Sequence, residues 1–254
     1  MKTRDSFCVS LCFILTLSFA SLFSQNRKVE VVYKANVARK ENNQKQSKFT
    51  SKTDKLFEAM SDIEMILYYD KGKGVFQVAD ALSSSDKKDN LEFNLATILL
   101  DVSDDYFYNT QMNEVVVLKK DLGTDFHVVY TLNRFDWTLG SQTKEISGIK
   151  CYRATAANYF YDKNNKKQKI EVVAWFAPSV NVPLGPIGYS GLPGLILELE
   201  EVGRRRYFAT NIFFDANFEI ANLYEVKKGD RISEMDYNAL LKSKYEHFHN
   251  LLKN

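Results

Sequence analysis

Short runs in which apolar and polar residues alternate, the pattern of half-buried β-strands, recur along most of the chain after residue 28. The runs predict about ten strands, and the turn residues between them favour antiparallel neighbours. Residues 72–74 are predicted to close a hairpin, whereas residues 137–140 are predicted to interrupt the strand series. The predicted strands cover residues 29–35, 63–69, 75–79, 106–108, 115–118, 126–130, 149–158, 169–177, 195–200, 205–214 and 218–227.

Three stretches carry helix signals instead. Thr53 and Asp54 can cap a short helix that ends near residue 61, and apolar residues at helical spacing predict another helix over residues 91–99. The third is a C-terminal helix at about residues 233–253, where Ser233 and Asp236 resemble a capping box. Its apolar side chains follow at steps of three and four residues: Tyr237, Leu240, Leu241, Tyr245, Phe248 and Leu252. The polar stretches 40–47, 83–90, 162–167 and 228–230 are predicted loops or turns.

These elements predict a β-rich α+β fold in one domain, residues 25–254. The simplest arrangement is a curved antiparallel sheet or open half-barrel, with the C-terminal helix packed on one face. A chain of 254 residues that is 45% hydrophobic can fill a core of this kind.

The first residues have the pattern of a secretory signal peptide. Lys2 and Arg4 precede an uncharged apolar run over residues 8–23, so we predict that residues 1–24 are removed on export. Cys8 and Cys12 are not placed as a lipoprotein signal requires, and no later uncharged run reaches about 18 residues. We therefore expect an exported periplasmic or envelope-associated protein with no lipid anchor and no membrane span after cleavage.

The overall charge does not indicate a class of partner. Lysine and arginine number 34 and aspartate and glutamate 32, which gives a net charge of +2 and no strong field for nucleic acid. Once Cys8 and Cys12 leave with the signal, Cys151 is alone and cannot form an internal disulfide.

One segment, residues 178–194, concentrates the backbone-shaping residues of the chain, and we call it the crossover segment. It holds all four prolines and four of the eleven glycines, which predicts a shaped, non-repetitive connection. The strand that follows it alternates Leu195, Leu197 and Leu199 with other residues, two of them glutamates, so it is predicted to have one buried and one mostly exposed face.

The crossover segment does not fit the catalytic or phosphate-binding motifs that it resembles. It lacks the lysine of a phosphate-binding loop, and a strand rather than a helix follows it. Ser190 fails the nucleophile-elbow pattern because Leu192 stands where a second glycine is needed. Gly191 and Gly194 are nevertheless predicted to tolerate valine poorly, because a glycine in a tight turn has no room for a branched side chain.

Other reactive residues have simpler interpretations. His247 and His249 sit two apart on a helix, which points them to different faces and disfavours a shared metal. His127 lies in an alternating strand, and a lone Cys151 in a strand is typical of a small buried residue. The run of three arginines at 204–206 is expected to pair with Glu198, Glu200 and Glu201 across a turn.

The motif around the crossover segment resembles the GLPGLI family of exported bacterial proteins. The resemblance rests on Trp175, Pro183, Gly185, Pro186 and Tyr189, on the hexapeptide Gly191, Leu192, Pro193, Gly194, Leu195 and Ile196, and on an upstream block with Cys151 and Ala154. It implies export and an association with outer-membrane TonB-dependent receptors. It implies no catalytic residue and no cofactor, and by analogy it implies a fold similar to that of periplasmic lipoprotein carriers.

Three functions are consistent with these features. The first is a non-enzymatic binding or accessory protein that works with an outer-membrane receptor, the crossover segment packing on the sheet edge and positioning Trp175 and Tyr189. The second is a carrier of a lipid or another apolar ligand in a cavity between the sheet and the C-terminal helix. The third is an exported hydrolase that uses Ser190 or Cys151.

Overall fold

The computed structural model of the protein describes residues 28–37, 51–79, 91–121, 124–161, 167–224 and 231–251. The predicted signal peptide, the predicted loops 40–47 and 83–90, the predicted turn 228–230 and nearly all of the predicted loop 162–167 lie outside these ranges. The elements in chain order are β1 Val29–Val37, α1 Ser51–Asp62, β2 Met65–Asp70, β3 Lys73–Val78, α2 Leu91–Leu100, β4 Asp105–Asn109, β5 Glu114–Asp121, β6 Thr124–Thr131, β7 Thr138–Ile146, β8 Ile149–Tyr161, β9 Lys167–Ala177, β10 Leu195–Glu201, β11 Arg205–Phe214, α3 Ile220–Leu223, β12 Arg231–Ser233 and α4 Glu234–Leu251.

The strands of the described ranges form one open sheet. Its order is β12-β6-β5-β4-β3-β2-β1-β11-β10-β9-β8-β7, so β12 and β7 are its two edges. Neighbouring strands are antiparallel except for β12 and β6, which run parallel. The predicted β-rich α+β class with an open antiparallel sheet is confirmed.

Local sequence explains the regular strands well. Along β1 the side chains of Val29, Val31, Tyr33 and Ala35 are buried in alternation, as the period of two requires. The predicted β2–β3 hairpin is present, and its turn places Lys71 at φ 47° and Gly72 at φ 86°. Two positive φ values are the geometry of the tight turns that match strand twist.

The main core lies on one face of the sheet, which we call the core face. Helices α1 and α2 pack there and contribute Met60, Ala96 and Leu100 to the same apolar cluster as the strands. The Tyr207 hydroxyl of β11 donates to the Leu100 carbonyl at 2.5 Å. Because the last carbonyls of a helix have no partner within it, this bond joins the end of α2 to the sheet.

Helix α3 packs on part of the opposite face. There Val75, Phe107 and Val116 form a small second cluster, and Tyr224 packs against Phe107 with ring centroids 5.6 Å apart. The predicted strand over residues 218–227 is therefore wrong where it is described, since residues 220–223 form a single helical turn. So short an apolar run does not distinguish a strand from a helical turn that docks on a sheet.

Strand β7 departs from the prediction for a physical reason. We predict an interruption at residues 137–140 and no strand between there and residue 149, but residues 138–146 form a strand whose side chains are all exposed or half-buried. An edge strand with little burial on either face shows no alternation of apolar and polar residues. The three-residue edge strand β12 is likewise absent from the prediction, because it is too short to leave any pattern.

The prediction of one exposed face on β10 is also wrong. Nearly every side chain of this strand is buried, including Glu198 and Glu201. The two carboxylates are tolerated because each is ion-paired: Glu201 with Arg205 at 2.6 Å, and Glu198 with Lys144 at 2.7 Å.

The start of the C-terminal helix α4 is as predicted. Ser233 Oγ accepts from the Asp236 backbone N–H at 3.1 Å and donates to its carboxylate at 2.6 Å. Tyr237 is buried and packs on Phe126 of β6 at 5.5 Å, which holds the helix at the β6–β12 edge of the sheet. The main core lies under α1, α2 and the crossover segment, and Leu240 and Leu241 are only half-buried. The side chains of Tyr245, His247, Phe248 and His249, and all of Leu252, lie outside the described residues.

Candidate functional site

The crossover segment lies over the core face and not at the sheet edge, which corrects the expected placement. It leaves β9 after Ala177 and returns into β10 at Leu195. In between, the Tyr108 hydroxyl of β4 donates to the Gly185 carbonyl at 2.9 Å and accepts from the Gly188 N–H at 2.9 Å. One tyrosine from the middle of the sheet therefore holds the middle of the segment.

Backbone hydrogen bonds also fold the segment onto its own ends. The N–H of Gly191 donates to the Pro183 carbonyl at 3.1 Å, and the N–H of Ile196 donates to the Leu184 carbonyl at 3.0 Å. The Tyr33 hydroxyl of β1 then donates to the Ile196 carbonyl at 2.6 Å. With its polar backbone groups paired in this way, the segment can be buried like a regular element.

Most of the predicted motif residues are buried by this arrangement. The buried ones are Gly185, Pro186, Tyr189, Leu192, Gly194, Leu195 and Ile196, whereas Pro183 is half-buried and Gly191 and Pro193 are exposed. Pro186 starts a single 3-10 turn, Pro186–Gly188, in which Ile187 has φ 44° and ψ 43°. A β-branched residue in the left-handed region is strained, so the contacts on either side must impose this conformation.

Tyr189 links the crossover segment to a buried ion pair. Its hydroxyl donates to Glu201 Oε1 at 2.9 Å and accepts from Asn158 Nδ2 at 2.8 Å, and its ring stacks on Phe135 at 4.5 Å. Burial, and next the Glu201 carboxylate, raise the pKa of Tyr189 well above its usual value, so this hydroxyl remains a donor. Its geometry is that of a structural anchor.

Arg205 completes this network, as the predicted charge pairing requires. Its guanidinium donates to Glu201 through Nε at 2.9 Å and Nη2 at 2.6 Å, and it also pairs with Asp101 at 3.0 Å. The neighbouring Arg206 pairs with Glu198 at 2.9 Å. Pairing between the arginine run and the β10 glutamates is therefore confirmed for Arg205 and Arg206.

Ser190 has the surroundings of a structural residue. It is fully buried, its hydroxyl donates to the Leu132 carbonyl at 2.8 Å, and its own carbonyl accepts from Trp137 Nε1 at 2.8 Å. His127 is buried within β6, opposite Leu118 of β5. In the described structure Ser190 thus ties the crossover segment to the chain between β6 and β7.

Trp175 and Tyr189 have separate surroundings, so the crossover segment does not bring them together. Lys144 Nζ lies 4.4 Å from the centre of the Trp175 ring and pairs with Glu198. Burial on its own would raise the pKa of Glu198, but the hydrogen bonds and charges of Arg206 and Lys144 outweigh it and lower that pKa.

The upstream block, Cys151 and Ala154, lies within β8 and is fully buried. Ala154 is opposite Ala174 of β9, and two such small side chains let the core pack closely over this pair of strands. Burial raises the pKa of the Cys151 thiol to about 11, although Lys144 acts to lower it. A thiol that is both protonated and enclosed is a poor nucleophile.

We expect Cys151 to resist thiol reagents in the folded protein. At pH 8 the peptide containing Cys151 should be recovered unmodified after brief treatment with iodoacetamide, and fully alkylated after denaturation, because burial keeps the thiol neutral and inaccessible. Peptide mass spectrometry checks both states. Rapid labelling of native Cys151 at pH 8 would contradict the burial described here.

A small polar cavity lies beside the tip of the crossover segment. Its volume is about 130 Å³, and Ile187 of the segment, Tyr106 of β4, Lys119 of β5, Tyr130 of β6 and Arg134 line it. Tyr189 and Glu201 form part of its wall, together with Asp101, Val117 and Asn158. The cavity is thus bounded by charged groups and tyrosines, with little aliphatic surface.

Helix α2 carries a second feature of functional interest, an exposed apolar stripe. Ala96, Thr97 and Leu100 face the core, but the outward side presents Leu91, Leu95, Ile98 and Leu99, which are 67%, 42%, 62% and 47% exposed. Their spacing of four, three and one residues places them on one side of the helix. The helix is therefore apolar on both its inner and its outer side.

Two further observations concern metals and membranes. Among the described residues, no three His, Cys, Asp or Glu side chains lie close enough together to hold a metal ion. None of the helices in the described ranges is both long and apolar enough to cross a membrane.

Neither the cavity nor the partners of the crossover segment could be recognised from the sequence. Tyr108 looks like any other aromatic residue of a strand, and Arg134 lies in a short connection with no motif around it. The one usable signal is Glu201 together with Arg205, since opposite charges that flank a tight turn come to face each other.

The described residues thus form a β-rich fold of one class, an open twelve-stranded sheet with the crossover segment lying across its core face and largely buried there. A family model described as "Protein of unknown function (Porph_ging)" matches residues 160–198. The match contains Trp175 and the whole crossover segment, and it supports the GLPGLI resemblance over that region. No curated protein matches the sequence.

Two solved structures of PNGF-II, in space groups C2 and P21, share the fold. Their TM-scores are 0.52 and 0.50, each at 15% identity over 84% of this chain. The match covers 32% and 33% of the PNGF-II chains, so this chain spans about a third of their length. At this identity the likeness shows the fold alone, and the analogy with lipoprotein carriers stays a prediction.

Proposed function

We propose that the protein is an exported, non-enzymatic binding or accessory protein of the cell envelope that works with outer-membrane TonB-dependent transport. The signal-peptide pattern in residues 1–24 supports export, and the GLPGLI resemblance supports the choice of partner class. The contact surface that we propose is the exposed apolar stripe of α2.

The α2 stripe is the observation that carries this proposal. A helix that covers a core ordinarily turns polar residues outward, yet α2 exposes Leu91, Leu95, Ile98 and Leu99 together. Contiguous apolar surface of this kind marks protein interaction sites, because burying it against a partner is favourable. The stripe is held firmly, since Tyr207 bonds the end of the helix to the sheet.

A non-enzymatic role is proposed because the two candidate nucleophiles have structural surroundings. The Ser190 hydroxyl is buried and donates to a backbone carbonyl, and the Cys151 thiol is buried with a raised pKa. The alternative function, a carrier of a lipid or another apolar ligand, is not favoured, because α1, α2 and the crossover segment fill the core face. The cavity at Ile187 is small and polar, unlike a site for a lipid chain.

The proposal is tested by recovery of partners from detergent-solubilised envelopes of the native host. The wild-type protein as bait should recover an outer-membrane receptor, and the double variant Leu95→Glu, Ile98→Glu should reduce that recovery about tenfold, because charge cannot be buried against an apolar partner. Met112→Glu is the matched control, since Met112 is 65% exposed and lies outside α2.

Thermal unfolding of each variant should stay close to wild type, because the substituted side chains are exposed. Recovery of no envelope protein above an empty bait, or equal recovery by the wild type and the double variant, would refute the proposed role of α2.

A further inference from the structure

Arg134 is oriented by its neighbours but has no charged partner among the described residues. Its guanidinium carbon lies 4.5 Å from the centre of the Tyr130 ring and 4.6 Å from that of Phe135, so the two rings hold the group in place. Its Nε is buried with no hydrogen-bond partner, and Arg134 makes no ion pair with another residue of the described ranges. A buried donor without an acceptor is costly and rare in proteins.

The other charged groups of the same cavity are paired. Lys119 binds Asp104 at 2.7 Å, and Arg205 binds both Glu201, at 2.6 Å, and Asp101, at 3.0 Å. Both acids of the cavity lining, Glu201 and Asp101, are thus paired with Arg205. Among the described residues that line the cavity, Arg134 is the one whose charge is still open to a ligand.

The cavity wall is also preformed. Ile187 keeps its left-handed conformation because Tyr108 bonds Gly185 and Gly188, which lie on either side of it in the chain. Strained residues held by their surroundings are concentrated at sites where proteins bind ligands. A ligand that enters beside Ile187 therefore meets a fixed wall and loses little free energy in ordering it.

From these observations we infer that the cavity binds a small oxyanion, a carboxylate or phosphate group, through the Arg134 guanidinium. A planar guanidinium matches both groups with paired hydrogen bonds. Lys119, which is paired with Asp104, also lines the cavity. Tyr106 and Tyr130 also line the cavity, and a tyrosine hydroxyl can donate to a further oxygen of the ligand. A cavity of about 130 Å³ has room for one such group and not for a lipid chain.

This site is separate from the α2 stripe, so its test does not depend on partner recovery. The ¹⁵N-labelled protein is titrated with inorganic phosphate and, separately, with acetate at constant ionic strength, while the amides of Ile187 and Gly188 are followed by NMR. Saturable shifts with at least one probe are expected, and Arg134→Gln should weaken that binding at least tenfold. Arg153→Gln, which changes an arginine of β8 outside the cavity, is the matched control and should bind as wild type does.

The two titrations distinguish the sources of the oxyanion. Saturation by phosphate alone assigns a phosphate-bearing ligand, saturation by acetate alone assigns a carboxylate, and saturation by both assigns a general oxyanion site. Tyr130→Phe, which keeps the ring against Arg134, provides a second variant if Arg134→Gln does not fold, and it should weaken binding severalfold. Absence of saturable shifts with both probes, or unchanged binding in the cavity variants, would overturn the inference.

Discussion

Replacing Gly194 by valine is expected to lower the free energy of unfolding by about 4 kcal/mol, a large part of the roughly 5–15 kcal/mol by which a folded domain is ordinarily stable. Gly194 has φ +153°, and a Cβ at this position would lie 2.3 Å from the Ala177 carbonyl oxygen. The obstacle is backbone, which cannot turn away as a side chain can. Urea unfolding followed by circular dichroism measures the loss.

Two other glycines separate the effect of contact from that of backbone conformation. Gly148 has φ +76°, but a Cβ at this position would meet nothing within 4 Å, so Gly148→Val should cost only about 1–2 kcal/mol. Gly191 has φ +88°, and its Cβ would lie 3.2 Å from the Leu132 carbonyl oxygen, so Gly191→Val should fall between the two. Two results would contradict this explanation: equal effects at all three positions, or an unchanged unfolding midpoint for Gly194→Val. Either would show that close packing of the crossover segment does not determine the loss of stability.

Removing the buried Arg205 is expected to lower the stability nearly as much as Gly194→Val does. Arg205→Met should lower the free energy of unfolding by about 3–5 kcal/mol, because it leaves Glu201 buried without its cation. Glu201 is only 2% exposed and also accepts from Tyr189, so the loss extends to the anchor of the crossover segment.

The adjacent arginine provides the control. Arg206 is half exposed and shares Glu198 with Lys144, so Arg206→Met should cost about 1 kcal/mol or less. Adding Glu201→Gln to Arg205→Met should recover part of the lost stability, since it removes the uncompensated buried charge. If Arg205→Met and Arg206→Met unfold at the same urea concentration, the buried ion pair between Arg205 and Glu201 does not contribute to stability as we expect.

Sequence patterns predict the structure best where local chemistry alone decides it. The turn at Gly72 and the cap at Ser233 depend on residues within four positions of each other, and both predictions are confirmed. The alternation along β1 reports burial on one side of a strand, which is also a local property of the chain.

The errors at β10 and β7 arise because the burial of a strand depends on partners that are distant in sequence. Strand β10 is buried on both faces because the crossover segment lies on one side and paired charges close the other, so the sequence pattern wrongly predicts an exposed Glu198. Strand β7 has few buried contacts and therefore no pattern. The cavity at Arg134 joins residues from Asp101 to Glu201, and no local motif records such a meeting.

Hydrogen exchange tests most directly whether the crossover segment belongs to the core or is a surface loop. The amides of Gly191, Leu195 and Ile196 donate within the buried segment and its junction with β10, so they should exchange as slowly as the β10–β11 ladder. The edge strand β7 is the internal reference for fast exchange. We expect slow exchange of the crossover amides in the wild-type protein. In Gly194→Val this slow exchange should be lost together with global stability. Exchange as fast as that of β7 would contradict it.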